Sequence, residues 1–444
     1  MSDHLSRRDL LAAMGVSGLA ALGSTANADD VVPAGGLARI TSKSPPRAPA
    51  KLVGGKIIQP ERELALLHET DVLVVGAGPA GVAAALAASQ TGAKVTLVER
   101  YGHFGGLWTG GLVVLVVGMY VKDESGKRKQ VTRGMGEFMM ARCDKLAGGI
   151  VNHRAGSDPT VDAEALKYAM VELVEEAKVK VFLHCWGVDA IVDGHTVKGA
   201  VFESKSGRQA ILAKVVVDAS GDGDIYAAAG AGYEHIKFRT GLVHRIGNVP
   251  DVKGKRPGGS GGVTPVKGVR WVNMQGPAID GLDVAELTRL ELAHRRYIWK
   301  SVGKLRSQPG HENVYLLETA PQLGVRITRL LGGVTQLTFK GVQNRVTFPD
   351  VIGVGGMWNA VHPEWQIPYG ALIPKQVDGV IAAGRCISGE PRMADLLRVI
   401  PPCFVTGHAA GVAAALAVKD GCRPRDVEVP TIQKILKDQD AYLG

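Results

Sequence analysis

The chain has 444 residues, of which 45% are hydrophobic and 21% charged, a balance typical of a folded globular protein and not of a disordered one. Its five cysteines are scattered without a C-x-x-C pair, which indicates neither a disulfide framework nor a metal site. The net charge of +9 is concentrated between Lys237 and Arg306, where 14 Lys and Arg accompany 5 Asp and Glu. Such a segment is typical of a nucleic-acid patch, a solvated face, or a lobe that attracts anionic substrates or an acidic redox partner.

Residues 1–28 have the pattern of an export signal. Arg7 and Arg8 precede a short Ala/Leu/Gly run, and Ala26-Asn27-Ala28 is a small-x-small cleavage site. The paired arginines predict the twin-arginine route and a periplasmic protein, with a Sec signal that merely carries two arginines as the alternative. Export and the absence of a recognition motif argue against nucleic acid as a partner.

No other apolar stretch approaches the ~18 residues of a membrane span, so no membrane span is expected in the mature protein. Residues 29–67, rich in Pro, Ala, Gly and Lys, predict a flexible arm.

A βαβ unit begins at Asp71, in "DVLVVGAGPAGVAAALAASQTGAKVTLVER". Gly76 suits the tight turn, Gly78 allows backbone N–H groups to approach a pyrophosphate, and Gly81 allows close packing of helix and strand. Glu99, at the end of the second strand, accepts hydrogen bonds from ribose hydroxyls and disfavours a 2′-phosphate. The residues that this unit would place at a dinucleotide are Gly76, Gly78, Pro79, Ala80, Gly81, Glu99 and Arg100.

Three further features favour FAD over NAD as that dinucleotide. Only one such βαβ unit is found, whereas a nicotinamide-dependent flavin reductase would need a second. The segment 215–232 predicts a buried strand ending at Asp218, followed by a Gly-rich turn and a helix. The segments 379–388 and 406–418 predict another strand that ends at glycine and a helix with small residues in its first turns. Strands that deliver glycines to one sheet edge build a cleft for an extended dinucleotide.

Six separated blocks from about Asp71 to Leu416 resemble the FAD-dependent oxidoreductases of the glutathione-reductase-like, two-dinucleotide-binding fold. The blocks are "ERYGHFGGLWTGG", "DAEALKYAMVELVEEAKVKVFLHCWGVDAI", "VVVDASGDGDIYAAAGA", "TAPQLGVRITR", "IPYGALIPKQVDGVIAAGRCIS" and "LRVIPPCFVTGHAAGVAAALA". Where related sequences often have R-E-S-R, this chain has Arg326-Ile327-Thr328-Arg329, which leaves the identity of the substrate open.

The resemblance implies further cofactor contacts. It places Val188 at the adenine, and it places Gly407 and His408 at the start of the last helix, pointing at the flavin pyrimidine ring. It assigns the remaining residues to the pyrophosphate loop, the turn that closes the cleft and the segment beside the ribityl chain: Gly105, Gly106, Leu107, Thr109, Gly221, Asp222, Gly384 and Arg385.

The predicted fold class is α/β, with a Rossmann-like FAD-binding domain that contains a parallel sheet. We expect this domain to comprise 68–239 and 365–444 and to be interrupted by an α+β substrate or cap domain, 240–364, with a helix at 283–305. The basic excess of the cap suggests an anionic substrate, with an acidic electron-transfer partner as the rival interpretation.

The catalytic candidates flank the blocks that face the flavin: Arg398, His408, His362 and Tyr369. Arg398 lies in an apolar stretch, so it contacts the flavin or substrate or belongs to a structural ion pair. The predicted function is an exported dehydrogenase or oxidase that removes a hydride from a small organic substrate. Its electrons would pass to a periplasmic cytochrome, a quinone-linked protein or oxygen. The alternatives are a non-enzymatic electron-transfer flavoprotein and a fumarate-reductase-like enzyme that works in the reducing direction.

Overall fold

A computed structural model of the chain describes residues 49–123, 125–146, 148–153, 158–251, 258–356 and 364–444. The predicted signal peptide, the first part of the predicted arm and His362 lie outside these residues. The chain divides into two compact units, and the boundary in the sequence lies between Gln59 and Pro60. In the first unit, β1 (Lys51–Val53) and β2 (Lys56–Ile58) form an exposed antiparallel hairpin.

The second unit, Pro60–Gly444, contains the remaining described elements. Its strands are β3 (Ala65–Val75), β4 (Val95–Val98), β5 (Tyr120–Lys122), β6 (Arg128–Gln130), β7 (Ile150–Val151), β8 (Thr160–Val161), β9 (Lys180–Phe182), β10 (Trp186–Asp193), β11 (Thr196–Ser204), β12 (Gly207–Asp218), β13 (Tyr233–His235), β14 (Phe238–Arg239), β15 (His244–Gly247), β16 (Gly262–Val263), β17 (Arg270–Val272), β18 (Ala278–Ile279), β19 (Tyr315–Thr319), β20 (Arg329–Leu331), β21 (Val351–Gly356), β22 (Glu364–Pro368) and β23 (Val380–Ala382). Its α-helices are α1 (Pro79–Gln90), α2 (Met135–Asp144), α3 (Ala163–Glu176), α4 (Asp224–Ala228), α5 (Val284–Arg306), α6 (Phe339–Gln343), α7 (Ala394–Leu397), α8 (Ile400–Asp420) and α9 (Val429–Asp438).

The main sheet has the order β10-β11-β12-β3-β4-β9, with β23 pairing to the last residues of β12. Strands β3, β4, β9, β12 and β23 run parallel, whereas β10, β11 and β12 form an antiparallel meander. The predicted parallel sheet is therefore confirmed. Val75 pairs with Val98 and Asp218, and Asp218 pairs with Ala382, so four strands end at one level of the sheet. This level is the carboxyl edge, where open α/β sheets bind ligands.

Two buried helices pack on one another beside this sheet. Helix α1 begins at Pro79 with Gly78 as its N-cap, and α8 carries Pro401 and Pro402 in its first turn, where proline is tolerated. A Cβ on Gly407 or Gly411 of α8 would lie within 3.0 Å of a backbone oxygen of α1, so glycine permits this approach.

Helix α8 also corrects an expectation about membrane spans. By length and composition its 21 residues would suffice to cross a membrane, although no apolar stretch of that length was expected. Its most apolar window is wholly buried, as in the core helix of a folded protein. The physical reason is the dense core, which surrounds this helix on all sides.

A second sheet lies within the region expected to form a cap. Its order is β16-β17-β15-β19, and all of its pairs are antiparallel. Helix α5 packs on β19 and buries Leu290, Ile298 and Val302. Its N-cap Asp283 accepts hydrogen bonds from two backbone N–H groups, which fixes the predicted start of this helix to within a residue. The boundaries 240–364 of a separate cap domain stay a prediction.

Candidate functional site

A cleft opens at the carboxyl edge of the main sheet. One wall comes from the βαβ unit and the strand ends, and the other comes from residues around β17 and the segment 322–326. The lining includes Gly76, Gly78, Pro79, Ala80, Glu99, Arg100, Gly106, Leu107, Gly221, Gly384, Arg385 and Arg398. Twelve of the residues predicted from the sequence therefore lie together at one cleft.

The turn after β3 is shaped to receive a phosphate. Gly76 has φ +95°, and a Cβ there would overlap the backbone oxygen of Ala219. Gly78, in contrast, has nothing within 4 Å of its ideal Cβ position, so its backbone is open to a ligand. The free N–H groups of the first turn of α1 begin at this opening, and the helix dipole favours an anion there.

Glu99 lies in the cleft lining, and two backbone N–H groups fix its carboxylate. Its Oε2 accepts a hydrogen bond from the backbone N–H of Ala77 at 2.7 Å, and its Oε1 accepts one from Tyr101 at 2.9 Å. Each carboxylate oxygen has further acceptor capacity, so the fixed carboxylate is suited to accept bonds from ribose hydroxyls. Arg100, next to it, lies over the rings of Tyr101 and Trp186 at 4.9 and 5.2 Å.

The turn after β12 holds an arginine across the cleft. Asp218 is fully buried and accepts bonds from the backbone N–H groups of Ser220, Ile225 and Tyr226, while burial raises its pKa. Asp222 then accepts a bond from Arg385 Nη2 at 3.0 Å. Gly221, with φ +87°, leaves the space that the Arg385 guanidinium occupies. Among the described residues Arg385 Nε has no hydrogen-bond partner, so it remains available to a ligand in the cleft.

The N-terminal end of α8 supplies the next part of the lining. The helix begins at Ile400, with Val399 as its N-cap, and not near Gly407. Val399, Ile400 and Cys403 line the cleft. Thr406 Oγ1, which sequence analysis did not single out, accepts a bond from the backbone N–H of Gly384 at 2.9 Å and fixes that loop to α8. A positive helix end directed into the cleft stabilises negative charge there.

Gly407 and His408 lie away from the cleft lining, which corrects the expectation that they begin the last helix. Gly407 packs on Ala80. The His408 ring is buried, and its Nε2 lies 2.6 Å from Gln439 Oε1 on the far side of α8. Burial lowers the pKa of His408 to about 4, while the hydrogen bond that Gln439 Oε1 accepts acts in the opposite direction. The physical reason is the earlier start of α8, which moves both residues a full two turns into the core.

Tyr369 and Val188 are not among the residues that line the cleft. The Tyr369 hydroxyl is buried and donates to the backbone oxygen of Pro424 at 2.8 Å, and burial raises its pKa. Val188 is 40% exposed on β10. Gly105 and Thr109 act one layer behind the cleft: Gly105 donates to the backbone oxygen of Ala77 at 2.7 Å, and the Thr109 hydroxyl bonds Phe104. These two residues support the loop that presents Gly106 and Leu107.

A cationic cluster occupies the end of the cleft that faces the second sheet. Asp395 accepts bonds from Arg398 Nη2 at 2.6 Å and from Arg239 Nη2 at 3.0 Å. Arg326 lines the same cleft, and its buried Nη1 has no hydrogen-bond partner among the described residues. Burial, Arg398 and Arg239 together lower the pKa of Arg326 to about 10. Arg398 therefore belongs to an ion pair and also lines the cleft, while its contact with flavin or substrate stays a prediction.

The described residues contain no group of three or more His, Cys, Asp or Glu that could hold a metal. All five cysteines are free, and burial raises the pKa of Cys403 to about 12. Burial thus keeps this cleft thiol protonated at neutral pH. No histidine is present among the described residues that line the cleft.

Fold and cleft together define a dinucleotide-binding protein of the Rossmann-like class. The family model described as "FAD dependent oxidoreductase" matches residues 71–241 and 250–436. The chain belongs to this family; it binds FAD and is an oxidoreductase. The orphaned Arg385 Nε, the open Gly78 and the fixed Glu99 fit such a cofactor.

Individual relatives match shorter parts of the chain. Digeranylgeranylglycerophospholipid reductase 1 of Methanopyrus kandleri is 30% identical over 172 residues, which cover 34% of this chain and 40% of that protein. Thiamine thiazole synthase of Aeropyrum pernix is 54% identical over 43 residues, 10% of this chain and 16% of that protein. The chain therefore spans less than half the length of these curated relatives. A geranylgeranyl bacteriochlorophyll reductase-like structure from Thermoplasma acidophilum has 16% identity and a TM-score of 0.46, with 84% of each chain covered.

Proposed function

We propose that the protein is a dehydrogenase or oxidase that removes a hydride from a small anionic organic molecule bound beside FAD. One observation carries this proposal: a single cleft joins the dinucleotide cradle at Gly78 and Glu99 to the cationic cluster at the other end. In that cluster Arg326, Arg398 and Arg239 accompany one acid, Asp395, which two of the arginines already bind. The excess positive charge favours an anionic ligand at this end.

Bound FAD supplies the two-electron acceptor for such a reaction. The chain's own groups would orient and enclose the substrate: Arg326 would hold its anionic group, and Trp271 and Val243 would supply apolar surface on the facing wall. The N-terminal end of α8 would favour the negative charge that accumulates on reduction. The binding of the substrate's anionic group by Arg326 would thus hold the C–H bond that is broken in position beside FAD.

The proton that is released together with the hydride has no histidine base among the described cleft residues. We therefore propose that it leaves to solvent, or that an amine substrate binds in its neutral form. The rate of flavin reduction should then follow the ionisation of the substrate and not a protein group with a pKa near 6.5.

Anaerobic mixing tests the proposed function. Purified holoprotein is titrated with matched carboxylates, amines and alcohols, and the absorbance band of oxidised flavin is followed. Bleaching by a carboxylate substrate, and not by its neutral amide, supports the proposal. Holoprotein that stays oxidised with every member of the set contradicts it.

The reducing direction is a second candidate, because the relative from Methanopyrus kandleri is named a reductase. In that case the chemically reduced holoprotein would be reoxidised anaerobically by an unsaturated carboxylate. The same reagent would leave free reduced FAD unchanged.

We also propose that electrons pass to a periplasmic acceptor, either oxygen or an acidic redox protein that docks on α5. Leu292 and Trp299 are 55% and 70% exposed on this helix, and Arg296 and Lys300 lie exposed on the same side. An aromatic and cationic face suits an acidic partner. Reoxidation by an acidic cytochrome should slow as salt rises, and Arg296→Glu should slow it further, whereas a rate independent of both would exclude this face.

A further inference from the structure

The segment 320–326 forms a strap along the substrate end of the cleft. Three backbone hydrogen bonds hold it: Ala320 N–H donates to Val243 at 2.9 Å, Gln322 N–H to Gly110 at 3.1 Å, and Gly324 N–H to Gly241 at 2.9 Å. The strap therefore connects the second sheet to the loop beside the dinucleotide turn. Side chains on a backbone fixed in this way have little freedom to move toward other partners.

Two side chains of the strap line the cleft, and each has an unsatisfied polar atom. The Arg326 guanidinium has its buried Nη1 without an acceptor among the described residues. Gln322 is 7% exposed, and its buried Oε1 has no donor among those residues. A buried polar atom without a partner is costly, so these two atoms in one cleft point to a ligand that satisfies both.

The local charges define what that ligand must offer to Arg326. Asp395 belongs to this arginine cluster, and its oxygens already accept bonds from Arg398 and Arg239. Burial lowers the pKa of Arg326, and the neighbouring charges of Arg398 and Arg239 lower it further. The carboxylate of a ligand would accept a hydrogen bond from Arg326 Nη1. Its negative charge would also offset the repulsion among the three arginines.

Gln322 Oε1 requires the opposite kind of group. An amide oxygen accepts hydrogen bonds, so its complement in the ligand is a hydroxyl or an amino N–H. The ideal Cβ position at Gly110 lies 3.2 Å from this oxygen, so glycine there keeps the Gln322 side chain free of steric overlap.

We infer that the substrate is a carboxylic acid that also carries a hydroxyl or amino group, with Arg326 binding the carboxylate and Gln322 accepting from the hydroxyl or amine. This inference rests on the proposed function and narrows its substrate class. Oxidation of such a molecule breaks the C–H bond next to the hydroxyl or amine, and the hydride passes to FAD. The O–H or N–H proton is released, and a C=O or C=N bond forms, so electrons and protons balance.

The alternative partner for Arg326 Nη1 and Gln322 Oε1 is FAD itself. If Arg326 and Gln322 bound only the cofactor, their substitution would weaken FAD binding and would not change the selection among added acids. The FAD content of each variant, measured from its absorbance, separates these two sources of the ligand.

The test is a binding experiment on oxidised holoprotein that does not depend on turnover. The probes are matched triplets: lactate, propionate and lactamide, then the same three compounds with isobutyl and with benzyl side chains. Binding is followed by the change in flavin absorbance or in tryptophan fluorescence, since Trp271 lines the cleft. Holoprotein should bind one hydroxy acid about tenfold more tightly than both its deoxy and its amide partner.

Substitutions then assign each preference. Arg326→Gln should remove the preference for acid over amide, and Arg326→Lys should restore part of it. Gln322→Met should remove the preference for hydroxy acid over deoxy acid and keep the charge preference. Arg62→Gln, at an exposed position just before β3, is the matched control and should change neither.

The outcomes separate the two proposals. Equal binding within every triplet, or variants that lose FAD while keeping the preferences, would overturn the inference. Selective binding without any anaerobic bleaching would contradict the oxidative function while leaving the assignment of Arg326 and Gln322 intact. Bleaching by a simple amine or alcohol that no variant affects would support oxidation and overturn the substrate class.

Discussion

At the scale of single residues, the site depends on groups whose partners are fixed by burial. Asp218, Asp222 and Arg385 form one connected set, in which a buried carboxylate shapes a turn and the turn supports an ion pair. Gly221 is part of this set because Arg385 occupies the space where its Cβ would be. The orientation of Arg385 therefore depends on a residue without a side chain.

Substitution of Gly221 tests this dependence. Gly221→Ala should displace Arg385 and weaken FAD binding by about tenfold or more, measured by titration of apoprotein with FAD. Gly230→Ala is the matched control, because Gly230 has φ +85° but nothing within 4 Å of its ideal Cβ position. Equal losses in the two variants would mean that backbone strain alone, and not Arg385, causes the effect.

His408 gives a residue-scale prediction about pH. Its pKa in the folded protein is about 4 because of burial, below the ordinary value of 6.5, so the unfolded state takes up the proton first. Its contribution to the free energy of unfolding is therefore complete above pH 6.5 and is lost as the pH falls toward 4, by about 3 kcal/mol in total.

His408→Asn should accordingly be less stable than the unsubstituted protein at pH 7, by about 1–3 kcal/mol, because the bond to Gln439 is weakened. The difference should shrink as the pH falls from 6.5 to 4, as measured by urea unfolding across that range. Asp224, whose pKa burial raises to about 6, acts in the opposite direction in both proteins, so it cancels in the difference. If the difference in the free energy of unfolding between the two proteins does not change with pH, the imidazole of His408 is not buried in its neutral form.

At the scale of elements, the approach of α8 to α1 positions the cleft. Gly407→Ala should lower the free energy of unfolding by about 1–3 kcal/mol, since the new Cβ would overlap the backbone of Ala80. Gly303→Ala on α5 is the control: its Cβ position is open, so the better helix former should raise stability by up to about 1 kcal/mol. Thermal unfolding of both variants checks the opposite signs, and a gain for Gly407→Ala would contradict the close contact.

The sequence predicted those elements whose signal is local. The unit β3-α1-β4 is encoded by adjacent valines, three spaced glycines and a terminal Glu99, and the structure contains it. The start of α8 was missed because Pro401 and Pro402 resemble a helix break, although they occupy its first turn. The places of His408 and Tyr369 depend on their packing against Gln439 and Pro424, which no local pattern encodes.

Arg326 and Gln322 were not assigned to the site for the same reason. They lie on a strap without regular secondary structure, held by hydrogen bonds to segments far away in sequence. Their importance follows from unsatisfied buried atoms, which become visible only when the three-dimensional partners are known. The sequence signal that could have found Arg326 is an arginine within an apolar stretch. In the sequence analysis this signal was used only for Arg398.

At the scale of the whole molecule, the FAD cleft is assembled from segments as distant in sequence as Gly76 and Ile400. A cofactor held in this way is best enclosed before the chain crosses a membrane, which agrees with the proposed twin-arginine route. Replacing Arg7 and Arg8 together by Lys should retain FAD-loaded protein in the cytoplasm, as shown by cell fractionation. Arg39→Lys should not affect export, and unchanged export of the double variant would contradict the route.

Flavin reduction by a bound acid tests the central claim most directly, because that claim places FAD and an anionic substrate in one cleft. Anaerobic stopped-flow mixing of holoprotein with the tightest-binding hydroxy or amino acid measures the rate of flavin bleaching. We predict a rate that saturates with acid concentration and that Arg326→Gln lowers mainly through weaker binding, while Arg62→Gln leaves it unchanged. Flavin that remains oxidised at saturating concentrations of every bound acid would contradict the account.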